Sequence, residues 1–98
     1  MPEALIEVEP PARRYLKKIK NRALRAAFEE AFETIRKDYT IGQLKKGNLA
    51  EIYCYDMRHQ KVDYEIAYYA EERDDITVIV ILVGTRANFY EELARLAR

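Results

Sequence analysis

The chain has 98 residues, 49% of them apolar and 35% charged, with 17 Lys or Arg, 17 Asp or Glu and one histidine. That size and balance fit one soluble globular domain spanning residues 1–98 and exclude a disordered chain or a large multidomain enzyme. A lone cysteine, Cys54, excludes an internal disulfide framework, and no apolar run reaches the roughly 18 residues of a membrane span.

Residues Met1 to Glu9 are acidic where a signal peptide is basic, and the unpaired thiol suits a reducing compartment, so a cytoplasmic protein is expected. Net charge is zero but unevenly spread. Through Lys46 there are 11 cations against 7 anions (+4), and from Gly47 onward 6 against 10 (−4). Between Pro10 and Phe28 stand seven cations and no acid, a pattern that fits either a solvated helix face or a phosphate footprint.

Ala4 to Val8 reads as a short strand, and Pro10-Pro11 suits a helix entry because proline at the first helical position forfeits no needed donor. Ala12, Tyr15, Leu16 and Ile19 make one apolar stripe, with the cations largely on the other side. A second helix is predicted from about Asn21 to Asp38 on the stripe Leu24, Phe28, Ala31, Phe32, Ile35 and Tyr39. The two form a helical hairpin. Residues Thr40 to Leu49 read as a loop. Three strands follow at Glu51–Met57, Val62–Glu71 and Ile76–Val83, joined through Arg58–Lys61 and Glu72–Asp75, connections short enough for an antiparallel meander. The last strand is apolar on both faces by strict alternation, and Phe89, Leu93, Leu96 and Ala97 then mark a C-terminal helix with Asn88 as its cap. The expected fold is α+β: an N-terminal strand, an α-helical hairpin, a three-stranded antiparallel meander and a C-terminal helix. The hairpin packs on one sheet face, and the other face, curved and open, is where a site belongs.

The end of the last strand presents Arg86, followed within one helical turn by Tyr90. The planar fork of arginine suits a phosphate, and a tyrosine donates a proton or stacks on a base. The same two residues also suit a structural role, an arginine satisfying strand-end carbonyls beside a half-buried tyrosine. Alternation along the middle strand puts Glu65 with Asp63, Ala67 and Tyr69 on the open face, opposite Tyr64, Ile66 and Tyr68. One cysteine and one histidine offer no zinc spacing, and neither a glycine-rich phosphate loop nor a serine-nucleophile motif occurs, so no metal or cofactor is expected.

The order of these pieces resembles the RelE/ParE superfamily, the toxins of type II toxin-antitoxin modules. The resemblance rests on Ile6-Glu7-Val8-Glu9-Pro10 with Ala12 before a basic helix, and on Gly42-Gln43-Leu44-Lys45-Lys46-Gly47-Asn48-Leu49. It is completed by Asp63-Tyr64-Glu65-Ile66-Ala67-Tyr68, and by Val83-Gly84-Thr85-Arg86 leading to Tyr90. It covers nearly the whole chain. It implies a small cytoplasmic toxin held inactive by an antitoxin; RelE-type members cut messenger RNA on the ribosome without a metal, and ParE-type members act on DNA gyrase. Arg86 and Tyr90 match the arginine and tyrosine of the nucleases. Two departures stand out. Nuclease members usually place an arginine after the aromatic of the middle strand, where this chain has Glu65, and basic residues along the preceding strand, where it has Tyr53, Tyr55 and nearby Asp56.

The leading expectation is therefore a ribosome-dependent messenger-RNA endoribonuclease. Arg86 would stabilise the phosphorane, Tyr90 would stack or transfer a proton, and His59 or Glu65 would act as base. A histidine titrates near neutrality, though a lone one in a turn also suits simple exposure. Arg58 and Lys61 in the first hairpin turn would add cations at the site, and Lys17, Lys18, Lys45 and Lys46 would hold ribosomal RNA. Two alternatives stay open: a non-catalytic inhibitor of DNA gyrase, and a toxin fold that only binds its antitoxin. All three imply a cognate antitoxin partner.

Overall fold

The computed structural model describes residues 3–45 and 51–96. The elements are β1 (Leu5–Val8), α1 (Pro10–Lys17), α2 (Arg22–Lys37), a 3₁₀ turn (Tyr39–Ile41), β2 (Gln43–Leu44), β3 (Tyr53–His59), β4 (Val62–Glu72), β5 (Ile76–Thr85) and α3 (Phe89–Leu96). They build one five-stranded sheet in the order β1-β5-β4-β3-β2, with β1 parallel to β5 and every other pair antiparallel.

Each helix begins where local chemistry dictates. Glu9 is extended (ψ 157°), as the residue before proline must be, and the two prolines open α1. Asn21 caps α2, its side-chain oxygen accepting the Leu24 N–H at 3.1 Å. The far end of α2 is tied to the start of the chain by a reciprocal pair: Ala4 N–H donates to the Arg36 carbonyl at 3.0 Å, and Arg36 Nε donates to the Ala4 carbonyl at 3.1 Å.

Both helices cover one sheet face. Ala12, Ile19, Phe28, Ala31 and Ile35 meet Tyr64, Ile66, Tyr68, Val78, Val80 and Val83 in a single core. Each large side chain buried there contributes on the order of 1.5–3 kcal/mol. Between the helices a groove of about 390 Å³ remains, lined by Leu16, Phe28 and Phe32 with Arg13, Lys17 and Arg25 among its polar residues.

Three expectations are corrected. The predicted loop after Thr40 contains a short strand, β2, which pairs Gln43 with Cys54 and Leu44 with Tyr53 at the sheet edge. The second sheet face is not open. Helix α3 packs on it, setting Phe89 and Leu93 against Ile52, Cys54, Ala67 and Leu82. Strict alternation along β5 also fails: Ala67 pairs with Leu82 and Tyr68 with Val80, which leaves Ile81 as the extra residue of a β-bulge. Ile81 and Leu82 consequently both pack toward the α3 side, and Val83 returns to the helix core.

The 3₁₀ turn is pegged to the sheet by Tyr68. Its buried hydroxyl donates to the Tyr39 carbonyl at 2.6 Å and accepts the Gly42 N–H at 3.1 Å, with the ring stacked on Tyr53 at 5.5 Å. Gly42 is required there, because a Cβ would collide with that hydroxyl. Tyr68→Phe strands one donor and one acceptor while keeping the ring. It is expected to cost about 1–3 kcal/mol in urea unfolding with an unchanged m-value. A loss under about 0.5 kcal/mol would show that water satisfies both groups.

Candidate functional site

The site forms where β5 leaves the sheet. Arg86 N–H donates to the Asp63 carbonyl at 3.0 Å, so the residue after the strand stays fastened to β4. The chain turns through Asn88, whose φ of 62° is a left-handed conformation that asparagine tolerates better than most residues. The Asn88 carbonyl accepts the Glu92 N–H at 3.2 Å as α3 begins. Phe89 drops into the α3-side core, and the Tyr90 ring stands edge-on to it at 5.5 Å and 87°. Arg86 and Tyr90 are thereby brought to the same mouth of the sheet.

Beneath them lies Glu65, in the middle of β4 and only 1% exposed. It does sit on the face expected from alternation, but under cover. Arg86 Nε stands 3.4 Å from Glu65 Oε1, while the arginine side chain itself is 59% exposed and reaches solvent. The other oxygen, Oε2, is buried without a hydrogen-bond donor. Directly across the strand pair from Glu65 is Asp56, with an exposed side chain, and on the opposite flank Glu65 faces Gly84.

These surroundings favour the neutral acid. Burial raises the Glu65 carboxyl from an ordinary 4.5 to about 7, helped by the neighbouring Asp56 carboxylate and opposed by the Arg86 cation and the Tyr90 hydroxyl. Two carboxylates side by side cannot hydrogen-bond to each other without a proton, so a proton on the pair is what gives the stranded oxygen a partner. Burial likewise pushes the Tyr90 phenol up, with Glu65 adding to the shift, so it remains a donor at neutral pH.

Lys45, next to β2, completes the group. Its Nζ stands 4.8 Å from the centroid of the Tyr90 ring, within cation–π range. The Cys54 thiol, buried on the same face, is raised to about 12 chiefly by burial and so stays a protonated, unreactive thiol.

The structure brings together Arg86, Tyr90, Glu65 and Lys45 from among the expected residues. It separates most of the rest. His59 ends β3 on the alternation of Tyr53, Tyr55 and Met57, which pack toward the helices, so it lies on the opposite face from Arg86. Arg58 belongs to β3 rather than to the turn and alternates with Asp56 onto the site face, where its Nη1 pairs with Asp63 at 3.1 Å. The turn proper is only Gln60 and Lys61, both with positive φ (48° and 69°), which leaves Lys61 exposed at its tip. Lys17 and Lys18 are exposed at the end of α1, in the helix layer behind the sheet. Lys46 lies outside the described residues. Among the described residues no group of three His, Cys, Asp or Glu is placed to hold a metal ion, and no helix is long and apolar enough to cross a membrane.

Asp56 is the member that sequence reasoning did not place. A four-residue connection sets Met57 opposite Val62 and Asp56 opposite Asp63; the two-residue turn moves the register so that Asp56 meets Glu65. The signal for that register is a turn dipeptide such as Asn-Gly, and Gln60-Lys61 does not carry it.

With this geometry in hand, the chain can be compared with known proteins. A family described as the ParE-like toxin of type II bacterial toxin-antitoxin systems matches residues 6–94. Among solved structures, a chain of the RelBE2 toxin-antitoxin complex from Mycobacterium tuberculosis is 25% identical, with a TM-score of 0.64 over 86% of this chain and 99% of that one. An E. coli RelE toxin in the free state, carrying two arginine-to-alanine substitutions, is 18% identical with a TM-score of 0.73 over 96% and 97%. A chain of the intact E. coli RelBE toxin-antitoxin complex is 17% identical with a TM-score of 0.67 over 83% and 94%. The two E. coli structures bear on the fold alone. No curated protein matches the sequence.

The raised carboxyl has a consequence for stability. A group with a folded pKa near 7 and an unfolded value near 4.5 binds more protons in the folded state between those limits, so its contribution is present below 4.5 and lost as pH rises to 7. Glu65→Gln removes that dependence. The variant is expected to gain stability relative to the parent by on the order of 3 kcal/mol between pH 4.5 and 7.5, measured by urea unfolding at both ends. A difference that does not change with pH would mean that Glu65 ionises normally in the folded protein.

Proposed function

The chain belongs to the ParE-like toxins of type II bacterial toxin-antitoxin systems, and from that premise we propose that it is a ribosome-dependent endoribonuclease, cutting messenger RNA through attack of the RNA 2′-hydroxyl. The observation that carries this reading is the cluster of Arg86, Tyr90, Asp56 and Glu65 at one mouth of the sheet.

Such a cleavage asks three things of a protein. A proton must leave the 2′-hydroxyl, charge must be stabilised on the phosphoryl oxygens, and the departing 5′-oxygen must be protonated. Arg86 supplies the second, with a guanidinium that reaches solvent and is held from behind by Glu65. Tyr90, protonated and half-buried, supplies a proton or a stacking surface. The carboxyl pair of Asp56 and Glu65 supplies a proton acceptor at the same mouth of the sheet. The protein would act in the cytoplasm and be neutralised by a cognate antitoxin, as the solved relatives are seen in toxin-antitoxin complexes.

A second reading has one observation in its favour. Tyr53, Tyr55 and Asp56 occupy β3 where nuclease members carry cations, and the matching family is described as ParE-like. A toxin that binds a protein target such as DNA gyrase needs no phosphate-binding cations.

Induction of the toxin without its antitoxin, followed by genome-wide mapping of messenger-RNA 5′ ends, separates the two. Nuclease action predicts new ends within translated codons, reduced about 10²–10³-fold by Arg86→Ala, together with ribosome binding that weakens steeply with salt. Growth arrest with no new ends, preserved in Arg86→Ala, would establish a protein target instead.

A further inference from the structure

Glu65 is too deeply buried to touch an RNA chain, yet its carboxyl is the centre of the cluster. Its 1% exposure belongs to a central strand, with Arg86 above Oε1, Asp56 across the ladder and Tyr90 and the α3 core on the remaining side. Asp56, in contrast, has an exposed side chain on the same face and stands directly opposite. Cross-strand neighbours of this kind hold their Cβ atoms about 4.5–5.5 Å apart, close enough for the two carboxyl groups to share one proton.

Resting on the nuclease reading, we propose that Asp56 is the catalytic residue that receives the proton of the RNA 2′-hydroxyl, and that Glu65 is a positioning residue that donates a hydrogen bond to Asp56 and holds Arg86. In the step, the 2′-oxygen forms a bond to phosphorus and its proton passes to the Asp56 carboxylate. The bond from phosphorus to the 5′-oxygen breaks, and that oxygen takes the Tyr90 proton, which solvent restores. A 2′,3′-cyclic phosphate and a 5′-hydroxyl result, with no metal or co-reactant consumed.

The geometry divides the labour between the two acids. Glu65 Oε2 is buried without a hydrogen-bond partner, and the single proton of the pair is assigned to it, directed across the ladder at Asp56. Asp56, with its exposed side chain, is then the member of the pair left to accept a proton where substrate arrives. Oε1 faces Arg86 Nε and so aims the guanidinium. The arrangement also answers the electrostatic objection to an acidic site. One shared proton removes one of two negative charges beside the phosphate, and Arg86 with Lys45 outweighs the other.

The charged and titratable groups facing the pair come from every surrounding element. They are Arg86 just after β5, Tyr90 on α3, Lys45 beyond β2, Cys54 of β3, and the Arg58–Asp63 ion pair on the adjoining positions of β3 and β4. Burial raises the Glu65 carboxyl to about 7, so loss of its proton sets an alkaline limb on the reaction.

The test is single-turnover cleavage of messenger RNA on purified ribosomes from pH 5.5 to 8.5, for the parent, Asp56→Asn, Glu65→Gln and Glu65→Ala, each checked for folding by circular dichroism. Asp56→Asn is expected to lose about 10²–10⁴-fold. Glu65→Gln keeps an amide N–H toward Asp56 and a carbonyl toward Arg86, so it should retain more activity than Glu65→Ala at pH 6 and lose the alkaline limb. Glu65→Ala should be impaired at every pH. Equal inactivation of Glu65→Gln and Asp56→Asn would overturn the division of roles and make Glu65 the base. A parent that cuts, with Asp56→Asn cutting as fast, overturns the assignment of Asp56 alone. A folded parent that leaves ribosome-bound messenger RNA intact overturns the nuclease reading, and the role of Asp56 with it.

Discussion

A carboxylic acid in the middle of the central strand is the constraint around which this small domain is arranged. Strand β4 is covered on both faces, by α1 and α2 on one side and α3 on the other. A residue at position 65 must therefore be buried. An ionised carboxylate there would be stabilised only by full pairing, and the Arg86 contact is a single one at 3.4 Å with a side chain that is mostly exposed. The low-cost solution is a neutral acid, and a neutral acid needs an acceptor for its hydrogen. Asp56 is the carboxyl that faces it across the ladder. The register of β3, the tether of Arg86 to β4 and the docking of Tyr90 all meet at this one side chain.

Much of the fold is legible in the sequence because it follows from periodicity. The stripe Leu24, Phe28, Ala31, Phe32 and Ile35 specifies α2, and Asn21 caps it as its residue type suggests. Tyr64, Ile66 and Tyr68 do face the helix core. The site is legible only in part, for two physical reasons. Strand register depends on turn geometry, and Gln60-Lys61 adopts positive φ values that neither residue advertises, so the meeting of Asp56 with Glu65 is invisible beforehand. The bulge at Ile81 is equally silent, because Ile81, Leu82 and Val83 are alike in hydrophobicity and their facing is settled by packing. That bulge also defeats the expectation of an open second face. It turns two large side chains toward α3 and gives the helix an apolar bed.

The charge asymmetry of the sequence becomes a layering in space. The cations of Pro10 to Phe28 fall on α1, α2 and the turn between them, and Arg13, Lys17 and Arg25 rim the groove of that layer. The acids concentrate on the strands and their turns. A long anionic partner is thus drawn to the helix layer by long-range attraction, and a short segment must find Arg86 and Lys45 on the far side of the sheet. For the nuclease reading the two layers divide the work, with ribosomal RNA held at the back and the reacting strand admitted at the front.

Helix α3 connects the stability of the domain to that chemistry. It has only eight residues, too few to persist alone in water, so it exists because Phe89 and Leu93 are buried on the sheet. The same docking sets Tyr90 beside Phe89, brings its ring under Lys45 and seals Glu65 from water. Burial is the first cause of the raised Glu65 carboxyl, and α3 covers the face on which it lies. The packing of one short helix thus carries both a share of the domain's stability and the placement of Tyr90 beside the buried acid.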